Sequence, residues 1–120
     1  EGWLKEGGVW HFYKDGNMIR DGWAKYKSKW CYMNSKGEMV KSEWIKVKGY
    51  WYYIKSDGYM ASNEWVKDSK GWCYLDTDGK MHKGWLKWKD NFYYLNPNGY
   101  MLTGGANLPC KFDEKGRLTV

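Results

Sequence analysis

Nine of the ten tryptophans in this chain of 120 residues recur in register. Trp3, Trp23, Trp44, Trp65 and Trp85 follow one another at intervals of 20, 21, 21 and 20 residues, and seven residues after each stands a second ring: Trp10, Trp30, Trp51, Trp72 and Phe92. Further along come Gly16, Gly37, Gly58, Gly79 and Gly99, each followed two residues later by Met18, Met39, Met60, Met81 and Met101. Repeated aromatic planes with a soft thioether beside them suit a cation that cannot donate a hydrogen bond. A quaternary ammonium between several π faces is that kind of ligand. Packing alone would accept Leu, Val or Phe at the second position, yet it is Trp in four of five units.

The elements that must present these rings are strands. WCYMNSKGEM, WYYIKSDGYM, WCYLDTDGKM and FYYLNPNGYM place alternating side chains before a turn containing Asp-Gly, Lys-Gly or Asn-Gly, which reads as a hairpin. Alternation sends Trp30 and Tyr32 to one face and Cys31 to the other, and likewise Trp51 and Tyr53, Trp72 and Tyr74, Phe92 and Tyr94. IRDG, VKSE, ASNE and HKG read as short polar connectors. A single hairpin is marginal in water, so the units must stack. The expected fold is all-β, a solenoid of five to six 20–21-residue hairpin repeats with no helix. The first unit has one residue fewer before Gly16, which predicts a tighter turn. Residues 1–102 form five repeats, and residues 103–120, with Gly104-Gly105 where a sixth Trp is due, read as a degenerate closing hairpin.

Composition narrows the function. Leu, Ile, Val and Phe together make 18 residues, or 15%, which at net charge +6 would suggest disorder were 20% of the chain not aromatic. That balance predicts a core of aromatic contacts and disfavours an ordinary enzyme domain. No apolar run is long enough for a membrane span and no signal peptide is present, so the chain reads as a piece of a longer protein. His11 and His82 stand alone and no Cys pair has ligand spacing, so no metal is expected. Cys31, Cys73 and Cys110 sit at equivalent places in separated units and read as packed thiols. Asp15, Asp57 and Asp78 precede turn glycines, where turn chemistry accounts for them. No catalytic arrangement or cofactor site emerges. Lys25, Lys27, Lys29, Lys46 and Lys48 either steer toward an anionic polymer or keep edge strands from pairing. Nucleic acid is disfavoured, because base stacking does not require a 20–21-residue aromatic period.

GWAKYKSKWCYMNSKGEM and GWLKWKDNFYYLNPNGYM resemble the choline-binding repeats of surface proteins and lytic enzymes of pneumococci, related Gram-positive bacteria and their phages. The resemblance covers residues 2–102. It implies a left-handed β-solenoid in which two Trp of one unit and a Tyr of the next enclose choline. The implied cages are Trp3, Trp10 and Tyr32; Trp23, Trp30 and Tyr53; Trp44, Trp51 and Tyr74; and Trp65, Trp72 and Tyr94, lined by Met18, Met39, Met60 or Met81. A fifth cage at Trp85 and Phe92 is expected to be lost, since Lys111 stands where an aromatic is required. KFDEKGRLTV is similar to the closing hairpin of autolysin-type and phage lytic enzymes, which implies a homodimer.

The expectation is a non-catalytic, extracellular module that binds choline of teichoic or lipoteichoic acid and targets a cell-wall lytic enzyme whose catalytic domain precedes Glu1. A carbohydrate-binding repeat of the clostridial-toxin or glucan-binding type is the alternative. A spacer or dimerisation stalk is a third.

Overall fold

Six residues separate the paired rings of each repeat, room for one tight reversal, and there the chain turns. In the computed structural model, which describes residues 2–103 and 111–119, Lys27 and Ser28 both take left-handed backbone, with φ of 50° and 67°. Gly7 and Gly8, Lys48 and Gly49, and Lys89 and Asp90 do the same. Positive φ at both central residues marks a type I′ turn, whose twist matches that of two antiparallel strands. The strands so joined are β1 (Gly2–Glu6) and β2 (Val9–Lys14), with a short β3 (Asn17–Met18) added to that sheet. Then come β4 (Gly22–Tyr26) with β5 (Lys29–Met33) and β6 (Glu43–Val47) with β7 (Tyr50–Ile54). The next pair, β8 (Glu64–Asp68) and β9 (Gly71–Leu75), is joined differently, through Ser69 and Lys70 at negative φ, with the Asp68 carboxylate accepting from the Lys70 and Gly71 amides. β10 (Gly84–Trp88) pairs with β11 (Asn91–Leu95), and β12 (Lys111–Phe112) with β13 (Leu118–Thr119). The fold is all-β, with no helix among the described residues.

The glycine turn expected to close each hairpin exists, but it is the second of two reversals. At Gly37 the amide of Asn34 donates to the Glu38 carbonyl and that of Gly37 to the Asn34 carbonyl. The Asn34 Oδ1 accepts from the amides of Lys36 and Glu38, both at 2.9 Å. Gly37 takes the left-handed position, φ 76°, and the loop returns the chain so that Met39 bridges Met33. Ile54 and Met60, Leu75 and Met81, and Leu95 and Met101 repeat that bridge. In the first unit Asp15 and Gly16 alone make the reversal and β3 pairs directly with β2, the tighter turn its shorter spacing predicts.

The chain divides into two compact units, Glu1–Ala61 and Ser62–Val120. Within each, hairpins are tied by main-chain bonds. In the first unit the Met39 amide donates to the Trp10 carbonyl at 3.1 Å and the Met60 amide to the Trp30 carbonyl at 2.8 Å. In the second the Met101 amide donates to the Trp72 carbonyl at 2.9 Å.

The most buried side chains are aliphatic, contrary to the expected aromatic core. Met33, Ile54, Leu75 and Leu95, the last residue of the second strand in four successive hairpins, are all fully covered. One such residue per repeat suffices because each unit is thin, which is why 15% aliphatic content supports a fold. Phe12, Ala24, Cys31, Val40, Ala61, Cys73, Tyr74, Tyr93 and Phe112 are buried as well, so aromatic rings share the core with these aliphatic side chains. The closing segment, as far as it is described, is a hairpin whose loop is held by Asp113: its carboxylate accepts from the Lys115 and Arg117 amides and pairs with the Arg117 Nε at 2.7 Å. Cys110 lies outside the described residues.

Candidate functional site: aromatic pockets on the hairpin faces

The register of each hairpin decides which rings meet. Trp23 lies directly opposite Tyr32, and Lys25 directly opposite Trp30, so all four share one face while Ala24 and Cys31 share the other. The same order holds for Trp44 with Tyr53, Trp65 with Tyr74 and Trp85 with Tyr94. These cross-strand pairs lie edge to face at 5.1 Å for Trp23–Tyr32, 5.0 Å for Trp44–Tyr53, and 5.2 Å for both Trp65–Tyr74 and Trp85–Tyr94. Tyr32, Tyr53, Tyr74 and Tyr94 therefore each pack on the leading Trp of their own hairpin.

The ring that reaches a tryptophan from the following hairpin comes from the opposite face. Trp23 meets Tyr52 at 5.0 Å, and Trp65 meets Tyr93 at 5.2 Å. Tyr52 and Tyr93 occupy the middle position of Trp-x-Tyr and Phe-x-Tyr, the position taken by Cys31 and Cys73 elsewhere. Sequence reading set them on the face away from the paired rings and so left them out of the expected cages. With the turn placed between the paired rings, strand alternation turns the middle residue toward the preceding unit.

In the first unit Trp3 and Trp10 stand 6.4 Å apart at 83°, a corner of two indoles. Tyr26 closes on Trp3 at 6.1 Å, and Cys31, Met39, Asp57 and Tyr59 line the rest of the pocket. Trp23 and Trp30 repeat the corner at 6.3 Å and 81°. In the second unit Trp65, Trp72, Trp88, Tyr93 and Met101 wall a pocket rimmed by Lys89, Asn91, Glu114, Lys115 and Arg117. Trp88, the one tryptophan outside the repeat, packs on Trp65 at 5.8 Å and takes the place that Tyr26 holds in the first unit.

The trailing rings are presented uniformly. Trp10, Trp30, Trp51 and Trp72 are 38–40% exposed, so each keeps an accessible indole face. Opposite each lies a lysine: Lys5 Nζ is 5.7 Å from the Trp10 ring, Lys25 5.6 Å from Trp30, Lys46 5.8 Å from Trp51, and Lys67 5.8 Å from Trp72. Lys87 stands at 5.8 Å over Phe92.

Four of the repeat methionines share one seat: Met18, Met39, Met81 and Met101 lie beneath the turns at Gly37, Gly58, Gly99 and Gly116, and two of them also line a pocket. Met39 lines the Trp3–Trp10 pocket and Met101 the Trp65–Trp72 pocket, while Met60 is tied by its amide to the carbonyl of Trp30. Met101 was not among the expected cage residues. Met18 lies beneath the Gly37 turn and Met81 beneath Gly99, where a Cβ on either glycine would overlap the sulfur. His11 lies beside the same Gly37 turn, its Nδ1 donating to the Gly37 carbonyl at 2.7 Å, a structural use of that lone histidine.

A polar clamp joins two hairpins of the second unit: the Tyr100 hydroxyl donates to the Asp68 carboxylate at 2.8 Å. Burial and that hydrogen bond push the Tyr100 phenol up to about 12. Burial would raise Asp68, but the Tyr100 hydroxyl and the amides of Lys70 and Gly71 outweigh it and hold the carboxyl below its usual range. Cys31 and Cys73 are free thiols, pushed by burial to about 11 and about 12.

A family model, the choline-binding repeat, matches residues 21–65 and 64–105. The chain belongs to the choline-binding repeat family. The chain is similar to choline binding protein F from Streptococcus pneumoniae, with 29% identity and a TM-score of 0.81 over 99% of this chain and 45% of that one. It is similar also to the modular endolysin of phage Cp-1, solved in complex with choline, with 33% identity and a TM-score of 0.67 over 98% of this chain and 36% of that one. A truncated alternansucrase from Leuconostoc mesenteroides, at 23% identity, a TM-score of 0.76 and 84% of this chain on 10% of that one, shares the fold alone. The chain thus spans less than half the length of these relatives. No curated protein matches it in sequence.

As a choline-binding repeat chain it carries one further cluster. Phe112, buried in the closing hairpin, lies 6.0 Å from Trp85 at 38°. The aromatic that reaches the fifth tryptophan is therefore Phe112, one residue beyond the position where the sequence placed Lys111.

Proposed function

We propose that the chain is a non-catalytic, extracellular cell-wall-binding module whose aromatic pockets hold choline groups of teichoic or lipoteichoic acid. The observation that carries this reading is the two-indole corner of Trp3 and Trp10, closed by Tyr26, Tyr59 and Met39 and matched by Trp65, Trp72, Trp88 and Met101. Such walls attract a quaternary ammonium, which has no N–H to donate. The carbohydrate-binding alternative rests on one open ring with polar neighbours; here polar side chains are present too, Asp57 in the first pocket and Lys89, Asn91, Glu114, Lys115 and Arg117 in the second, but the wall is of several rings, two of them indoles at 83°.

Each cation–π contact contributes about 0.5–2 kcal/mol, so three give a few kcal/mol and a dissociation constant on the order of millimolar. A repeated weak site gains avidity on a polymer that repeats its headgroup, about 100-fold or more where the spacings match. Tandem repetition is thus the source of useful affinity. The cage set out from the sequence within the first unit, Trp23, Trp30 and Tyr53, remains part of this proposal. The tyrosine wall of the Trp23 site is extended to Tyr52.

The endolysin similarity supports a cell-wall lytic enzyme as parent, with this chain as its targeting domain. Residues 1–102 then supply binding and 103–120 close the array, with a homodimer through that hairpin. Choline titration followed by tryptophan fluorescence tests the ligand. No response up to about 100 mM choline, well above a millimolar constant, refutes it. Sedimentation with and without choline tests the dimer.

A further inference from the structure

The two pockets follow one plan. Trp3 and Trp10 of the first correspond to Trp65 and Trp72 of the second, and Met39 to Met101, each methionine lying beneath a turn glycine, Gly58 or Gly116. At the residue before that glycine the plan reverses sign: Asp57 lines the first pocket and Lys115 the second. The residue after the glycine changes too, from Tyr59 to Arg117.

The linings differ in charge accordingly. Among the described residues, Asp57 alone carries charge in the lining of the first pocket. Lys27 and Lys29 lie over the rings of Tyr26 and Tyr59, at 5.4 Å and 5.0 Å, outside that lining. The second pocket sets Lys89, Lys115 and Arg117 against Glu114, and with Arg117 paired to Asp113 its rim is still net positive. Lys5 over Trp10 is matched by Lys67 over Trp72, so that pair does not distinguish the pockets.

The turn itself does not demand the charge of Asp57. Its Oδ1 accepts from the Tyr59 amide at 3.0 Å, a bond that asparagine makes equally, and Asn98 stands at the same place before Gly99. A unit charge roughly 5–8 Å from a bound ammonium, at solvent-like dielectric, changes its affinity about threefold. An uncharged ligand of the same shape feels almost none of this.

We propose that the residue before the turn glycine sets the charge preference of each pocket, Asp57 making the first-unit pocket a cation site and Lys115 setting its second-unit counterpart against a bare cation. Resting on the proposed choline function, this makes the two pockets unequal in their preference for charge despite their like walls. Specificity then lies in a turn residue at the rim, while the rings supply the shape.

The test titrates the intact chain at low salt with choline and with dimethylbutanol, the uncharged alcohol that has carbon in place of the choline nitrogen. The indole N–H resonances of Trp10 and Trp72 report the two pockets. In the wild type the preference for choline over the alcohol should be about tenfold greater at Trp10 than at Trp72, a threefold gain in one pocket and a threefold loss in the other. Asp57→Asn should weaken choline about threefold at Trp10 and leave the alcohol unchanged, whereas Asp57→Glu should keep wild-type binding. Lys115→Asp, which puts there the residue that Asp78 supplies before Gly79, should strengthen choline about tenfold at Trp72 alone. All these differences should shrink at about 0.5 M salt. Equal preference in both pockets, or an Asp57→Asn variant that weakens the two ligands alike, overturns the assignment and leaves choline binding intact. If choline moves neither signal, the choline reading falls and this assignment with it.

Discussion

Replacing Trp72 by Leu should remove one wall of the second-unit pocket while sparing the fold. The indole is 40% exposed, and the inter-hairpin bond it makes is from the Met101 amide to its main-chain carbonyl, which leucine keeps. Trp65, Trp88, Tyr93 and Met101 remain as walls. Losing one ring of several should forfeit about 1–1.5 kcal/mol, the middle of the cation–π range, and so weaken choline at this pocket roughly five- to tenfold. Stability should change by less than about 1 kcal/mol, since a half-exposed ring is exchanged for an apolar side chain. The assay is a choline titration followed at the indole N–H of Trp65, with Trp10 as internal control in the other unit. The Trp10 curve should not move. A folded variant whose Trp65 curve stays within twofold of the wild type would refute the claim that the accessible Trp72 face binds the cation.

Four further outcomes follow from the packing. Leu75→Ala, at a fully buried site, should destabilise the second unit by about 2–4 kcal/mol in urea unfolding. Ser28→Gly should stabilise by about 0.5–1 kcal/mol, because Ser28 holds φ 67° in a turn that glycine enters without strain; a midpoint that falls would contradict this. Asp68, with its carboxyl held low, contributes stability present above the unfolded carboxylate value and lost as pH falls through the folded one. Tyr100, raised to about 12, contributes below the unfolded phenol value and loses it as pH climbs past that toward 12. Tyr100→Phe should therefore cost about 1 kcal/mol near neutral pH and much less near pH 2, as compared by denaturation at both. Cys31 and Cys73, at about 11 and about 12, should resist thiol reagents at pH 8 in the native chain and react promptly once it is unfolded.

The repeat, the all-β class and the identity of the paired tryptophans were legible from spacing alone, because a binding motif copied five times leaves a period in Trp and Met. Which residues face which was not. Lys27-Ser28 and Lys89-Asp90 carry no glycine, so nothing in their composition announces the type I′ turn, whereas Gly37 and its equivalents announce a turn strongly. The family resemblance set Tyr53 with Trp23 and Tyr94 with Trp65; in the structure Tyr52 and Tyr93 also reach those tryptophans from the following hairpin, while Tyr53 and Tyr94 pack on Trp44 and Trp85. The aliphatic core was hidden for a similar reason: Met33, Ile54, Leu75 and Leu95 are one residue per repeat and vanish in a composition average. Trp88 could have been found as the single tryptophan off the period, since a large ring outside a pattern of rings still needs a wall to join.

The ties between hairpins also bear on how the chain acquires its shape. His11 reaches Gly37 across 26 residues and Asp68 reaches Tyr100 across 32, each spanning fewer than two repeats. Among the described residues, every strand pair joins segments that are neighbours in sequence. Loop-closure entropy is therefore paid in small, equal instalments, and order can propagate along the polypeptide as each hairpin meets the one before it. Such a chain can structure itself while it is still emerging, and a damaged unit interrupts the propagation locally without erasing what has already formed.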